Sequence, residues 1–144
     1  MQLNLSVAPM LVQGNQVQLE QVFLNLFLNA SDAMVDAGER RLTVTTELSS
    51  SAIVIVVRDT GSGIPDSVLE RIFDPFFTTK PVGQGTGLGL SISYGIIQDH
   101  HGEIRVHQEP GGGTSFRISL PTCSQEALNR FTPDHESMVP SSYR

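Results

Sequence analysis

Glycine occupies every second position from Gly83 to Gly89 in the run GQGTGLGL, and the chain's only lysine, Lys80, stands three residues ahead of it. Alternating glycines strip Cβ atoms from a stretch of surface and admit positive φ, so backbone can close on something bulky and anionic. A lone lysine beside it would meet a phosphate as a point charge. The pair reads as a mobile, glycine-hinged loop around a nucleotide.

Three further clusters keep that loop company. Asn25, Asn29, Asp32 and Asp36 recur at helical spacing within an otherwise apolar run, so they form one narrow polar stripe. Such a stripe either faces solvent or offers oxygen donors to Mg²⁺, which takes few protein ligands and keeps waters and substrate phosphates. Asp59-Thr-Gly-Ser-Gly-Ile-Pro follows an apolar, β-branched run. An acidic residue ending a strand can accept from an exocyclic amine while the glycines let backbone lie against a flat ring; an Asx-type turn is the plainer alternative. Phe73-Asp-Pro-Phe-Phe-Thr-Thr-Lys80 places three phenylalanines in a segment without periodicity. They either dock on the body or cover a ligand. Thr114 comes after three glycines at the start of a strand pattern.

The elements that would position these residues follow from periodicity. QLNLSV (2–7) alternates as a half-buried strand, and MLVQG (10–14) is a second short strand candidate. Asn15 can cap a helix from Val17 to about Val35. Its apolar residues, with Leu24 and Leu28 on a further side, predict burial nearly all round, and Gly38 would end it. LTVTTEL (42–48) and AIVIVVRD (52–59) are strands, the second central. Ser67 to Phe73 reads as a short helix capped by Asp66, and Leu88 to His101 as a second long one. EIRVHQE (103–109) and TSFRISL (114–120) are strands joined by a Pro-Gly-Gly-Gly turn. The expectation is an α+β two-layer sandwich: a mixed, mostly antiparallel sheet of about five strands with three helices on one face. After Pro121 the periodicity stops, so residues 1–121 would be the domain and 122–144 a polar tail or linker without a fixed fold.

Composition sets outer limits. At 144 residues the chain is one domain by length. A net charge of −6 leaves no basic stripe for nucleic acid. One cysteine, Cys123, excludes an intrachain disulfide and fits a reducing compartment. No apolar run approaches the roughly 20 residues that span a bilayer. The expectation is a soluble cytoplasmic module without direct membrane contact, whose longer parent could still be membrane-anchored.

Taken in order, these segments resemble the catalytic and ATP-binding domain of sensor histidine kinases, within the wider ATPase family that includes gyrase and MutL. QVFLNLFLNASDAM is similar to the N box, DTGSG to the G1 box, FDPFFTTK to the F box, GQGTGLGL to the G2 box and GGGTSFRISLP to the closing strand. The match runs from about residue 2 to 121, and the NASDAM and PFFTTK wording is most similar to the nitrogen-regulator type. The resemblance implies the Bergerat ATP-binding fold, with ATP and Mg²⁺ as ligands. It implies that Asn29 coordinates Mg²⁺ and that Asn25 stands where related ATPases keep a glutamate base. Asp59 would bond the adenine amine, with Gly61, Gly63 and Ile64 shaping the floor, Phe73 in the F box and Thr114 completing the adenine side. Gly85, Thr86, Gly87, Leu88 and Gly89 would wrap the phosphates at a helix N-terminus.

Two departures stand out. Many family members carry a lysine or arginine three residues after the N-box asparagine; here Asp32 holds that place, followed by Ala33. Lys80 is the natural substitute for the phosphate contact. The dimerisation domain that carries the phosphoaccepting histidine in this family has no counterpart in the 144 residues. His135-Glu136 with Pro140 imitates its acceptor box by coincidence, and His100 and His101 read as structural residues closing a helix, where a cation suits the dipole. The implied partners are that dimerisation domain and, downstream, a response-regulator receiver domain. A nucleotide-sensing module without phosphotransfer is the alternative reading.

Overall fold

The β-branched runs at 42–48 and 52–59 form strands over those same residues, because side chains crowded at Cβ fit a pleated, half-buried surface. The structure, a computed structural model, describes residues 1–6, 11–81 and 85–123. Its elements in chain order are β1 (Gln2–Asn4), α1 (Gln16–Ala33), β2 (Leu42–Leu48), β3 (Ala52–Asp59), a 3-10 turn (Asp66–Arg71), α2 (Gly89–Asp99), β4 (Glu103–Gln108) and β5 (Thr114–Pro121). The strands make one five-stranded sheet in the order β1-β2-β3-β5-β4. β1 runs parallel to β2, and the other pairs are antiparallel. β3 is central, as its continuous apolar run predicts.

Alternation decides which face of the sheet is covered. Ile53, Ile55 and Val57 of β3 join Phe116, Ile118 and Leu120 of β5 and Ile104 of β4 in one core with Val22 and Leu26 of α1 and Ile96 and Ile97 of α2. The opposite phase carries Arg58, Arg105 and Arg117, all exposed. The register sets Val57 between Val44 and Phe116, and Ile55 opposite Ile118. Full burial of side chains such as Leu26 and Ile118 stabilises the fold by about 1.5–3 kcal/mol each. The two-layer expectation therefore holds, with helices on one face.

Several local expectations do not hold, each for a physical reason. Residues 11–14 form no strand: the Leu11 carbonyl accepts from Cys123 N–H, and Asn15 N–H goes to the His100 ring, so no ladder forms. α1 is not buried all round. Leu24 and Leu28 are exposed, since only the stripe through Val22, Leu26 and Ala30 is fully buried. Gly38 does not end the helix, which stops at Ala33. Ser62 N–H takes the Ala33 carbonyl, and Gly61 packs so closely on Ala33 that a Cβ there would lie 2.6 Å from that oxygen. The loop after β3 thus terminates α1. The helix expected at 67–73 is the 3-10 turn, preceded by Pro65 and without a side-chain cap from Asp66. The expected Asn15 cap is present, its Oδ1 accepting from Gln18 N–H at 3.2 Å. Gly83, Val7, Met10, the His135–Pro140 segment and most of the 122–144 reading lie outside the described residues, as does part of the glycine-hinged loop.

His100 is structural, though not as a cation at a helix end. Its Nε2 accepts from Asn15 N–H at 2.9 Å, which leaves the ring proton on Nδ1, 2.7 Å from the Ile96 carbonyl. The ring pins the start of α1 to the end of α2, and Gly14 lies flat against it. A Cβ at Gly14 would sit 2.4 Å from His100 Cδ2. Gly14→Ala is expected to destabilise by about 1–3 kcal/mol, read as a melting temperature lower by roughly 5 °C. An unchanged melting curve would mean that the ring is not held.

Candidate functional site

α1, the end of β3, the loops on either side of the 3-10 turn, the start of α2 and the start of β5 surround a cavity of about 390 Å³. That volume is within the ordinary range for a small-molecule site. Of the residues singled out from sequence, Asn25, Asn29, Asp32, Asp59, Ile64, Lys80, Gly85, Thr86, Gly87, Gly89 and Thr114 line it. Gly61, Gly63, Phe73 and Leu88 do not. Gly61 supports the floor from behind through Ala33, and Gly63, at φ 77°, packs under the Gln108 amide. Phe73 packs against Tyr94 of α2, ring centroids 5.4 Å apart and planes tilted by 41°, an anchor rather than a cavity wall. Leu88 is the N-cap of α2, with its N–H on Thr86 Oγ1 at 3.3 Å. Phe77, Thr78 and Thr79 supply the F-box side of the wall.

Asp59 shows the clearest orientation. Its Oδ1 accepts both Gly61 N–H at 2.8 Å and Thr114 N–H at 3.3 Å, which leaves Oδ2 without a donor among the described residues. The glycine after it makes the turn; β5 brings Thr114 alongside, 55 residues away in sequence. Burial pushes the Asp59 carboxyl above the ordinary carboxylate range, the two backbone N–H groups oppose that shift, and the Glu109 charge adds to it. A carboxylate oxygen that opens on the cavity with no donor among the described residues is an acceptor held ready for a donor on a ligand. The Asx-type turn and the ligand reading are therefore both true of Asp59: one oxygen serves each.

The Asn29 side chain lines the cavity and makes no hydrogen bond to another described residue. Its carbonyl oxygen is a free hard ligand of the kind Mg²⁺ takes one or two of. Among the described residues no group of three or more His, Cys, Asp or Glu side chains could hold a metal by itself. That combination suits an ion held mostly by ligand phosphates and water.

Two residues, and the partner of a third, escaped the sequence reading. Gln108, at the end of β4, accepts from Ile64 N–H at 3.3 Å and donates back to the Ile64 carbonyl, so its amide fixes the G1 loop as a strand would. Ser93, fully buried in α2, bonds to Asn25. Lys80 forms an ion pair with Asp32 rather than pointing freely into the site. Only the β4 alternation, which puts Gln108 on the same face as Ile104 and Val106, hinted at any of them.

The Asp32–Lys80 pair carries its own expectation. Being half exposed, it contributes little to stability, but it occupies the cation a phosphate would use. Asp32→Asn should free Lys80 and tighten ADP binding by about three- to tenfold at low salt, an effect that fades at high salt. Lys80→Ala should weaken ADP by a similar factor. Equal affinities in all three proteins would remove Lys80 from the phosphate site.

Residues 14–124 match the model of the family described as histidine kinase-, DNA gyrase B-, and HSP90-like ATPase. Sporulation kinase A of Bacillus subtilis (strain 168) is 46% identical over 110 residues, 76% of this chain and 18% of that protein. Sensor kinase CckA of Brucella abortus (strain 2308) is 45% identical over 128 residues, 80% of this chain and 14% of that protein. The chain therefore spans a small part of the curated relatives it matches. Among solved structures, the catalytic domain of histidine kinase ThkA in a nucleotide-free form superposes with a TM-score of 0.73 at 32% identity, covering 83% of this chain and 78% of that one. Full-length ShkA in complex with AMPPNP gives 0.72 at 25% identity, covering 85% of this chain and 25% of that one. With five motifs gathered around one cavity on a matching fold, the chain belongs to the histidine kinase-, gyrase- and HSP90-like ATPases, as a catalytic ATP-binding domain of the sensor histidine kinase type.

Proposed function

We propose that this domain binds Mg-ATP in the cavity and donates the γ-phosphate to a histidine on a separate dimerisation domain, from which a response-regulator receiver domain would take it. The observation that carries the reading is the single cavity that joins an oriented, half-satisfied Asp59 carboxylate to an unbonded Asn29 amide and the glycine-rich start of α2. Asp59 Oδ2 would accept from the adenine amine, with Thr114 and Ile64 beside the ring. Asn29 would hold Mg²⁺, which neutralises phosphate charge when bound. Gly85, Thr86, Gly87 and Gly89 would let backbone approach the phosphates, and Lys80 would exchange Asp32 for them.

Phosphoryl transfer asks a protein for positioning and charge more than for covalent chemistry. Asn25 is an amide and takes no proton, which fits a domain that keeps water from its own ATP; the accepting imidazole brings its own nucleophile. We place the domain boundary near residue 121, the subclass close to the nitrogen-regulator type, and the location in the cytoplasm. No helix of the described residues is long and apolar enough to cross a membrane.

The test is transfer in trans. The protein is mixed with the dimerisation domain of its own kinase and γ-labelled ATP, and the product is assayed for acid-labile, base-stable phosphate. Label on the acceptor, absent with Asn29→Ala, supports the reading. Nucleotide binding without any label would leave a sensing module that transfers nothing.

A further inference from the structure

Asn25 faces the cavity, yet its amide protons are already committed. Nδ2 donates to the Gly89 carbonyl at 3.2 Å and to Ser93 Oγ at 3.2 Å. Ser93 Oγ donates to the same Gly89 carbonyl at 2.9 Å. One carbonyl in the first turn of α2 thus accepts from a side chain of its own helix and from one on α1. Ser93 is fully buried and takes no part in the cavity wall.

The place of this knot gives it consequence. The first intrahelical bond of α2 runs from Ile92 N–H to the Leu88 carbonyl, so the N–H groups of Gly89, Leu90 and Ser91 have no partner inside the helix. Gly89 and Leu90 line the cavity. These are the donors that a helix N-terminus offers to an anion, and their aim depends on how the first turn is set. The preceding segment ties to itself rather than to the body: Leu88 N–H goes to Thr86 Oγ1 in the same loop, and a Cβ at Gly87, which stands at φ 65°, would meet the backbone of Phe76, itself exposed and at φ 66°. The anchor on the body side is Asn25.

We infer that Asn25 is a positioning residue: through Gly89 and Ser93 it fixes the first turn of α2 so that its free N–H groups meet the nucleotide's phosphates. It does so without touching the nucleotide. The inference rests on the nucleotide reading of the cavity and adds a reason for an amide at residue 25. A carbonyl acceptor calls for a donor, and a carboxylate there would face the Gly89 oxygen with none.

Because the role is confined to the phosphate end, the discriminating comparison is ADP against adenosine. Both are titrated into wild type, Asn25→Ala, Ser93→Ala and the double variant, with folding checked by circular dichroism. Asn25→Ala should weaken ADP by about tenfold and leave adenosine unchanged. Ser93→Ala, buried behind the wall, should weaken ADP in the same direction by a smaller factor. The double variant should be no worse than Asn25→Ala, the signature of one shared network.

If ADP is lost with Asn25→Ala but unchanged with Ser93→Ala, Asn25 touches the ligand or its metal directly and the inference fails. Equal losses for ADP and adenosine reduce the knot to a structural clamp and also overturn it. Wild type that binds neither ligand sinks the nucleotide reading itself, a failure distinct from the other two.

Discussion

Asp59→Asn is expected to lower ADP affinity by about a hundredfold or more while the free protein melts at the same or a higher temperature. The Gly61 and Thr114 N–H groups both donate to Oδ1. An asparagine must keep its own Oδ1 there, which turns Nδ2 toward the cavity. A donor would then oppose the adenine amine, itself a donor. The same variant should gain relative affinity for a 6-oxo purine such as inosine diphosphate, whose exocyclic 6-carbonyl oxygen accepts; titration with both nucleotides checks this inversion.

The stability half of that expectation has a definite sign. Burial, partly offset by the Gly61 and Thr114 N–H groups and reinforced by Glu109, holds the Asp59 carboxyl above its ordinary range. The folded state therefore keeps its proton at pH values where the unfolded chain has lost it. Stability contributed by the protonated form is fully present below the ordinary carboxylate value and is lost as pH rises through the folded value. Asparagine is neutral throughout. Thermal melts of the two proteins should diverge as pH rises through that window, with the variant the more stable at pH 7, and converge in acid. A variant that melts lower at every pH would show that the carboxylate stabilises the fold.

Gly113→Ala is expected to be the most damaging single methyl in the domain, and Gly111→Ala a mild one. Both glycines stand at φ 95°, where a Cβ costs about 1–2 kcal/mol by itself. At Gly111 no atom of the described residues would lie within 4 Å of it. At Gly113 the Cβ would lie 2.2 Å from the Asp59 carbonyl oxygen and 3.1 Å from Thr60 Cα, backbone that cannot rotate aside. Overpacking adds about 1–3 kcal/mol, so the melting temperature should fall by roughly 10 °C or more. Because the displaced groups are Asp59 and the start of β5, ADP binding should fall too. If the two variants melt together, steric overlap is not what makes Gly113 special.

How legible the molecule is in its sequence can be argued from particular residues. β2 and β3 were readable to the residue because β-branched side chains signal a strand locally, and Asp59 was readable as its acidic end. Asn15 carried its own capping signal. The end of α1 was not readable: Gly61, 28 residues beyond Ala33, closes it through a packing contact no local pattern records. Leu24 and Leu28 looked like core because periodicity reports apolar faces, not whether an element covers them. Phe73 fell on the anchoring side of an alternative that the sequence left open. Gln108, Ser93 and the Asp32–Lys80 pair belong to the site through contacts across 44 to 68 residues, and side-chain pairing at that separation has no sequence period to betray it.

The central claim is that the cavity is a Mg-nucleotide site, and calorimetric titration of Mg-ADP into the folded domain, paired with thermal unfolding, tests it most directly. One-to-one binding is expected. So is stabilisation of about 2.7 kcal/mol at a hundredfold excess over the dissociation constant, with both signals weakened by Asn29→Ala and removed by Asp59→Asn. No heat and no shift in a protein that is demonstrably folded would contradict it.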